Sequence, residues 1–271
     1  MNPPAADVWI DGQPAGDALR FDRGLHYGDG LFETIDVRQG RARFLALHEQ
    51  RLARDCARLG IDCDARGILR AAARDLDAEG TLKVIVTRGD SVARGYGTTG
   101  RERARVVRFW YPGPPAARAA KCDVVTLAQR CGENPAIAGM KHLNRLEQVI
   151  ARRELAGTVA DEGLIVSSTG LVVSGTMCNV FLNVDDRWVT PRVDRSGIAG
   201  VMRAVVLREA ARAGMPVEEA AVEAQTLSRT TALFFTNARI GVSPATRLDG
   251  RPLASSPEVE ALRATIEALD E

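Results

Sequence analysis

The sequence predicts an α+β protein of two domains, with antiparallel-rich sheets and flanking helices. Strand and helix patterns are mixed along all 271 residues, a length that suits two domains. A hairpin pattern near the N-terminus and successive short strand patterns in the second half indicate antiparallel pairing. The segment Tyr111–Ala120 contains three prolines and can hold neither a helix nor a central strand. We therefore predict a smaller N-terminal domain at residues 1–112, a linker at residues 113–120 and a larger domain at residues 121–271.

The first domain shows apolar alternation typical of strands and helical spacing between them. The turn Gln39–Gly40 predicts a hairpin, and Gly60 is a typical residue after a helix end. Strands are predicted at Asp7–Ile10, Leu31–Val37, Arg41–Leu45, Leu82–Thr87 and Arg105–Trp110, and helices at His48–Leu59 and Ala65–Leu76.

The second domain repeats short strand patterns and three helical ones. Strands are predicted at Cys122–Leu127, Glu162–Val166, Leu171–Val173, Asn179–Asn183, Trp188–Thr190 and Leu233–Thr236, and helices at Leu143–Leu155, Gly200–Ala213 and Pro257–Leu269.

The composition bounds the partners that the protein can have. Charged residues make up 26% and the formal net charge is +1, which argues against a nucleic-acid binder and favours a small-molecule substrate. The five cysteines are odd in number and form no C-x-x-C pair, so neither a disulfide framework nor a metal site is expected. No apolar run could span a bilayer, and Met1–Asp11 lacks the pattern of a signal peptide. We expect a cytoplasmic protein with no membrane partner.

Primary amines are scarce, because the chain has only three lysines. Lys141 lies between a Gly/Ala/Pro-rich loop, Asn134–Gly139, and a helical pattern, a junction that can direct an amine into a cleft. A lysine forms Schiff bases when burial and nearby cations lower its pKa; the alternative is a solvated lysine ahead of a helix. Lys83 alternates with apolar neighbours in a predicted strand and is expected on its outward face. Lys121 borders the linker and is expected to be exposed.

Five further segments combine residues suited to anions or close packing. The glycine turn Arg195–Gly200 precedes a helix whose first N–H groups could bind phosphate. The others are the strand end Phe234–Arg239, the start of a helix that carries Arg51, the glycine-rich stretch Phe21–Thr34, and a glycine-rich loop with Arg88 and Arg94. Each segment also has an explanation that involves no ligand: a helix cap, a turn after a strand, a surface arginine or a flexible loop.

Taken together and in order, these segments resemble the fold-type IV class of pyridoxal-phosphate (PLP) enzymes. That class includes branched-chain aminotransferases, D-amino-acid aminotransferases and 4-amino-4-deoxychorismate lyases. The resemblance extends from about Trp9 to Pro244, and Lys141–Glu147 (KHLNRLE), with Arg94-Gly95-Tyr96, is similar to the lyase branch.

The resemblance implies a D-amino-acid aminotransferase-like fold, PLP at the domain interface, a homodimer, and a reaction that yields 4-aminobenzoate and pyruvate in folate biosynthesis. Lys141 would be the catalytic Schiff-base lysine, and Arg51 would bind the cofactor phosphate through the H-x-x-R-L motif. The remaining implied residues are Ser174, Asn179, Val201, Met202, Asn237 and Ala238 for the cofactor, and Tyr27, Thr34, Arg88, Arg94 and Tyr96 for the substrate.

One position departs from the family pattern. The family has a glutamate five residues before an asparagine, and the carboxylate keeps the pyridine nitrogen protonated. Here the asparagine is Asn179, but Ser174 occupies the glutamate position. A hydroxyl group cannot stabilise a pyridinium as a carboxylate does, so the cofactor is a weaker electron sink. This favours a lyase over an aminotransferase of the same fold. A second alternative is a PLP-free binding protein descended from such an enzyme.

Overall fold

The computed structural model describes residues 7–14, 22–90, 95–114 and 122–269. The chain forms two compact units. Unit 1 contains residues 1–116, 140–144 and 271, and unit 2 contains residues 117–139 and 145–270. Most of the predicted linker, residues 115–120, and the predicted site residue Arg94 lie outside the described residues.

Unit 1 is built on one six-stranded antiparallel sheet of order β2-β1-β6-β5-β3-β4. Its strands are β1 (Asp7–Ile10), β2 (Gln13–Pro14), β3 (Gly30–Arg38), β4 (Arg41–Ala42), β5 (Gly80–Thr87) and β6 (Arg105–Pro112). Leu31, Ile35, Leu82 and Val84 are almost fully buried on one face of the sheet. This side-chain alternation agrees with the apolar pattern that predicted the strands.

The described residues of unit 1 form three α-helices: α1 (Arg23–Tyr27), α2 (Leu45–Leu59) and α3 (Ala65–Ala72). Helix α2 ends at Gly60, whose φ of 65° is the left-handed conformation that glycine adopts readily. The Asp64 side chain caps α3 by accepting from the Gly67 N–H group. Leu52 and Leu69 bury the inner faces of α2 and α3.

Residues 140–144 complete unit 1 as an extended segment beside β3. The Phe32 N–H group donates to the Lys141 carbonyl at 3.0 Å, and the Leu143 N–H group donates to the Gly30 carbonyl at 3.0 Å. His142 forms an isolated bridge with Leu31. The helix predicted from Leu143 is therefore wrong at its start. It begins at Leu146, because the residues before it pair with a strand.

Unit 2 contains two five-stranded sheets. One has the order β12-β11-β10-β13-β14 and the other β16-β15-β7-β8-β9. The strands are β7 (Asp123–Cys131), β8 (Glu162–Ser167), β9 (Val172–Gly175), β10 (Asn179–Val184), β11 (Arg187–Pro191), β12 (Val217–Ala220), β13 (Thr230–Asn237), β14 (Gly241–Pro244), β15 (Arg247–Leu248) and β16 (Arg251–Pro252).

Helices α4 (Leu146–Leu155), α5 (Val201–Arg212) and α6 (Pro257–Glu267) flank these sheets, together with a 3-10 helix at Ala224–Arg229. The core of unit 2 includes a stacked pair of rings, Phe181 and Phe234, whose centroids lie 4.7 Å apart. No helix within the four described stretches is long and apolar enough to cross a membrane.

The α+β prediction is confirmed, and two element boundaries in unit 1 are corrected. The strand predicted at Arg41–Leu45 stops at Ala42, because Phe44 adopts a positive φ of 53° and α2 begins at Leu45. The helix predicted to reach Leu76 ends at Ala72, and Asp75 beyond it has a φ of 56°. Positive φ values at residues other than glycine interrupt regular structure, and apolar spacing does not reveal them.

Candidate active site

Unit 1 fixes Lys141 through both of its backbone groups. Its carbonyl accepts from Phe32 of β3, and its N–H group donates to the Asp55 carboxylate of α2 at 3.1 Å. The Lys141 Nζ atom lies 4.2 Å from the centroid of the Phe32 ring. Burial raises the pKa of Asp55, although hydrogen bonds from Arg54 and from the Lys141 backbone oppose that effect. A strand and a helix thus hold the lysine predicted to react.

A buried ionic cluster of Glu33, His48 and Arg51 joins the same strand to the same helix. The Arg51 Nε atom donates to Glu33 at 2.8 Å, a second guanidinium nitrogen also contacts this carboxylate, and the His48 Nδ1 atom lies 2.6 Å from it. Burial alone would raise the pKa of Glu33, but the charges of Arg51 and His48 outweigh it and lower that pKa to about 2. The predicted phosphate-binding arginine is therefore oriented by a permanently charged carboxylate.

Two predicted substrate residues, Tyr27 and Tyr96, are brought together in unit 1. Their ring centroids lie 5.3 Å apart in an edge-to-face arrangement. Arg23 holds this pair, because its guanidinium lies 5.0 Å from the Tyr27 ring centroid and donates to the carbonyls of Gly95, Tyr96 and Gly97. The exposed loop that carries Tyr96 is thus tied to α1 by a buried cation.

Arg88, another predicted substrate residue, is occupied by protein groups. Its Nε and Nη2 atoms donate to the Asp29 carboxylate at 2.7 and 3.1 Å, Nη2 also donates to the Leu59 carbonyl at 2.7 Å, and Nη1 donates to the Gly60 carbonyl at 2.7 Å. These contacts use all three nitrogens of the guanidinium group. Thr34 lies half-buried on β3, opposite Lys83 of β5.

In unit 2, Asn179 organises the glycine turn that precedes α5. Its Nδ2 atom donates to the Ile198 carbonyl at 2.8 Å. A Cβ atom on Gly200 would lie 2.2 Å from the Asn179 Oδ1 atom, so only glycine fits there without displacement. Within the described part of the chain, no side-chain hydrogen bond caps α5 at Gly200. Because the N-cap residue is a glycine, it offers no side-chain acceptor to the first N–H groups of the helix, which include those of Val201 and Met202.

The predicted residue Asn237 lies beside this turn, because its neighbour Thr236 pairs with Asn179. Its side chain is committed to the protein: Oδ1 accepts from the N–H groups of Arg239 and Ile240, and Nδ2 donates to the Cys178 sulfur at 3.1 Å. Because the Asn237 side chain is engaged by these protein groups, a ligand at this turn would contact the backbone of Asn237 and Ala238.

Ser174 is half-buried on β9, where its hydroxyl donates to the Gly175 carbonyl at 2.8 Å. A buried carboxylate, that of Glu162 on β8, lies near Gly175 but accepts hydrogen bonds from the backbone and hydroxyl of Thr176 and from the Cys178 thiol. The flanking residues of Ser174 contact the other site elements: a Cβ atom on Gly197 would lie 3.3 Å from Val173, and one on Gly175 would lie 2.9 Å from Phe235.

Four residues around Lys141 and Arg51 were not predicted to have a role: Phe32, Glu33, His48 and Asp55. Glu33 was detectable, because it is an acid inside a predicted buried strand, where a charge requires a partner. Asp55 lies one helical turn after Arg51 and shares its face of α2. The contact of Asp55 with residue 141 joins distant parts of the sequence and left no local signal.

The model of the amino-transferase class IV family matches residues 30–248. The chain therefore belongs to this family, a class of PLP-dependent enzymes, and it has the fold-type IV architecture expected from the sequence. Among individual proteins, it is 31% identical to an aminodeoxychorismate lyase from Vibrio harveyi over 87% of this chain and 89% of that protein. A crystal structure of 4-amino-4-deoxychorismate lyase from Pseudomonas aeruginosa has a TM-score of 0.87 and 36% identity, over 97% and 100% of the two chains.

Aminotransferases are also among the relatives. A putative branched-chain-amino-acid aminotransferase from Methanocaldococcus jannaschii is 29% identical over 85% of this chain and 82% of that protein. Family membership thus confirms the fold, the enzyme class and the PLP cofactor, and the named relatives include both lyases and aminotransferases.

The residues present fit PLP. Unit 1 supplies a primary amine at Lys141 and a guanidinium at Arg51, and unit 2 supplies a helix start whose N–H groups lack a side-chain cap. A Cβ atom on Gly200 would meet the Asn179 side chain, so the backbone of this turn packs closely against Asn179.

Proposed function

We propose that this protein is a 4-amino-4-deoxychorismate lyase, which converts its substrate to 4-aminobenzoate and pyruvate in folate biosynthesis. One observation carries the proposal: Lys141 is fixed at both backbone groups beside Phe32 in a chain that resembles two lyases at 31 and 36% identity. Its sequence neighbourhood, Lys141–Glu147, has the lyase-like pattern.

Lys141 acts first as the point of covalent attachment of the cofactor and then as the base. Its amine removes the proton from the ring carbon that bears the substrate amino group. Enolpyruvate leaves from the neighbouring carbon and becomes pyruvate on protonation, and the ring becomes aromatic. PLP, when bound, supplies an electron sink for the carbon that loses its proton.

The phosphate group of the cofactor is held by Arg51, by the N–H groups of Val201 and Met202, and by the backbone of Asn237 and Ala238. The supporting observation is the uncapped start of α5, locked by Asn179. Arg51 belongs to unit 1, and the other residues named here belong to unit 2.

Ser174 makes the cofactor a weaker electron sink, which favours elimination over amino-group transfer. A transaminase must stabilise a carbanion until it is reprotonated on the cofactor, whereas the lyase is driven by aromatisation of its product. Because Glu162 is committed to Thr176 and Cys178, it supplies no substitute for the missing carboxylate. A weak electron sink is therefore compatible with the lyase reaction.

On the substrate side, Tyr27 and Tyr96 form an aromatic edge of the site, and Thr34 contributes a hydroxyl group from β3. The contacts of Arg88 with Asp29, Leu59 and Gly60 support a positioning role for this arginine rather than direct binding of a carboxylate. The substrate-binding role of Arg94 is proposed from the sequence alone.

We also propose a cytoplasmic homodimer. The outer side of α4 carries Leu146, Val149 and Ile150 with exposures of 75, 60 and 39%. Their spacing of three and four residues places them on one apolar stripe, which favours burial against a second copy of the chain. The odd number of cysteines supports a reducing compartment.

The test is to generate 4-amino-4-deoxychorismate from chorismate and glutamine with an aminodeoxychorismate synthase and to follow 4-aminobenzoate. The wild type should form the product, and Lys141→Ala should lose at least about 1,000-fold in kcat, because its base and its attachment point are removed. A PLP-bound protein that forms no 4-aminobenzoate but transfers amino groups between amino acids and 2-oxo acids would instead be an aminotransferase.

A further inference from the structure

Two of the five cysteines are in contact at the end of helix α2. Cys56 belongs to the last turn of this helix and is 3% exposed, and Cys63 is half-buried in the segment between α2 and α3. Their Sγ atoms lie 3.5 Å apart. A disulfide bond joins sulfur atoms about 2.05 Å apart, so an approach of roughly 1.5 Å would bring the two thiols to bonding distance.

The turn that follows α2 brings the two cysteines together. Gly60 has a φ of 65°, and the Ile61 N–H group donates to the Cys56 carbonyl at 2.9 Å. On the other side, the Cys63 carbonyl accepts from the Ala65 N–H group at 3.1 Å, where α3 begins. The end of one helix and the start of the next therefore hold Cys63 against Cys56 through the backbone.

The two thiols differ in their readiness to react. The hydrogen bond between them lowers the pKa of Cys63, although burial and the charges of Asp62 and Asp64 oppose this effect. The same hydrogen bond, together with burial, raises the pKa of Cys56 well above its usual value. Because the thiolate is the reactive form of cysteine, Cys63 is the sulfur that attacks an oxidant first.

The other three cysteines lie buried in unit 2 and are poor targets for an oxidant. Burial raises the pKa of Cys122 to about 12 and that of Cys131 to about 11. Burial also raises the pKa of Cys178. Buried thiols that stay protonated are chemically inert, so oxidation should be selective for the pair in unit 1.

The cysteine pair adjoins two contacts that support the candidate site. Asp55, immediately before the first cysteine of the pair, accepts from the Lys141 N–H group at 3.1 Å. The carbonyls of Leu59 and Gly60, which lie between the two cysteines, accept from Arg88 at 2.7 Å. A covalent bond between the sulfurs pulls on this turn and displaces the groups that hold Lys141 and Arg88.

We propose that Cys56 and Cys63 form a reversible disulfide with hydrogen peroxide as the oxidant, and that this bond lowers the activity of the enzyme. The disulfide itself is independent of the proposed function, whereas the loss of activity is measured on the proposed lyase reaction.

The bond forms in two steps. The Cys63 thiolate attacks one peroxide oxygen, so that an S–O bond forms, the O–O bond breaks, the peroxide is reduced to water and Cys63 is oxidised to a sulfenic acid. The Cys56 sulfur then attacks the Cys63 sulfur, and the sulfenic hydroxyl group leaves as water with the Cys56 proton. A dithiol such as dithiothreitol reverses the reaction by thiol–disulfide exchange and is itself oxidised.

The test treats the PLP-loaded protein with hydrogen peroxide, blocks the remaining thiols by alkylation and identifies tryptic peptides by mass spectrometry. Trypsin cleaves after Arg58, so Cys56 and Cys63 fall in separate peptides unless a disulfide joins them. We expect the linked peptides after peroxide and their disappearance after dithiothreitol. Formation of 4-aminobenzoate should fall by about 10-fold or more and recover with dithiothreitol, because misplacement by about 1 Å can cost about 100-fold in rate.

Two variants control for oxidation elsewhere. Cys63→Ala lacks the first thiol to react, so it should give no linked peptides and should keep its turnover after peroxide. Cys122→Ala removes one thiol from the core of unit 2, leaves the pair intact and should respond to peroxide as the wild type does.

Three outcomes would overturn the inference. The wild type could give no linked peptides after peroxide, it could give them with unchanged turnover, or Cys63→Ala could lose turnover as the wild type does. If the untreated wild type forms no 4-aminobenzoate, the proposed function fails. The inference about the pair is then decided by the linked peptides and by amide hydrogen exchange at Lys141, which should be faster in the oxidised protein and otherwise contradicts the displacement of Asp55.

Discussion

At the scale of single residues, the candidate site combines the proposed Schiff-base lysine, Lys141, with charged side chains that are held in place by other protein groups. Glu33 accepts hydrogen bonds from Arg51 and lies within hydrogen-bond distance of His48, so the guanidinium group is oriented by its own protein. Asp55 does the same for the backbone of Lys141. Such fixed partners reduce the reorganisation that accompanies binding and reaction.

The first prediction concerns Ser174. Replacing it by glutamate should restore a carboxylate near the cofactor ring and strengthen the electron sink, because a carboxylate stabilises a protonated pyridine nitrogen. We expect Ser174→Glu to raise amino-group transfer from amino acids to 2-oxo acids by about 10-fold or more relative to lyase turnover. Both activities are measured on one preparation, with Ser174→Gln as the uncharged control. An unchanged ratio of the two activities would falsify this role.

The second prediction is an acid sensitivity of folding that comes from the buried cluster. Burial lowers the pKa of His48 below its usual value of 6.5, because desolvation of the imidazolium outweighs the nearby Glu33 carboxylate. The pKa of Glu33 is lowered from 4.5 to about 2. Both groups bind protons more readily in the unfolded chain. Their stabilising contributions are complete above pH 6.5 and pH 4.5 respectively, and each is lost as pH falls toward the folded pKa.

Urea unfolding at a series of pH values between 8 and 4 checks this sign. The free energy of unfolding of the wild type should begin to fall below about pH 6.5. His48→Gln, which keeps a neutral polar side chain beside Glu33, should lack the part of the fall between pH 6.5 and 4.5. Parallel pH profiles of the two proteins would show that His48 does not contribute.

At the scale of elements, the sequence predicted which segments form strands and helices more accurately than it predicted the residues at which these elements begin and end. Strands β3, β5 and β6 and helix α2 were recognised because their apolar periods are regular. The start of α4 was missed, since the helical pattern begins at Leu143, whereas the Leu143 N–H group donates to Gly30 of β3 and the helix begins at Leu146. Long-range pairing of this kind overrides local preference and is not encoded in the spacing of nearby residues.

The same reason limits what could be predicted of the site. Lys141, Arg51 and the turn before α5 were identified by local pattern and family resemblance. The contact between Asp55 and Lys141 spans 86 residues, and the occupation of Arg88 depends on the backbone of Leu59 and Gly60. Such contacts depend on packing, which only the folded chain reveals.

The third prediction concerns the loop that carries Tyr96. Arg23 donates to three successive carbonyls of this loop, so Arg23→Met should release it. Amide hydrogen exchange at residues 95–97 should become faster, and kcat/KM should fall by about 10-fold or more as Tyr96 leaves Tyr27. The control is Arg101→Met, because Arg101 is exposed and its side chain makes no hydrogen bond or ion pair within the described part of the chain. Equal exchange in the two variants would contradict the anchoring role.

At the scale of the whole molecule, the chain is an enzyme whose proposed site draws on two compact units. Unit 1 contributes the amine, the guanidinium group and an aromatic edge, and unit 2 contributes the uncapped helix start. This division explains why the candidate residues are spread from Tyr27 to Ala238.

The fourth prediction is the oligomeric state. If the apolar stripe of α4 is covered by a second copy, Val149→Asp should shift the protein from dimer to monomer, because it places a charge in a desolvated interface. Val159→Asp is the matched control, since Val159 is fully exposed and lies outside the stripe. Light scattering after size-exclusion chromatography gives the mass of each variant. A wild-type monomer, or a Val149→Asp dimer, would refute this assignment.

The most direct test of the central claim is the product balance of a single reaction. Purified protein loaded with PLP is supplied with enzymatically generated 4-amino-4-deoxychorismate, an amino-acid donor and a 2-oxo acid other than pyruvate, and 4-aminobenzoate, pyruvate and the amino acid formed from that 2-oxo acid are quantified over time. The lyase assignment predicts equal amounts of 4-aminobenzoate and pyruvate, no new amino acid, and no products with Lys141→Ala. Formation of the amino acid without 4-aminobenzoate would contradict it and would assign the chain to the aminotransferases of its family.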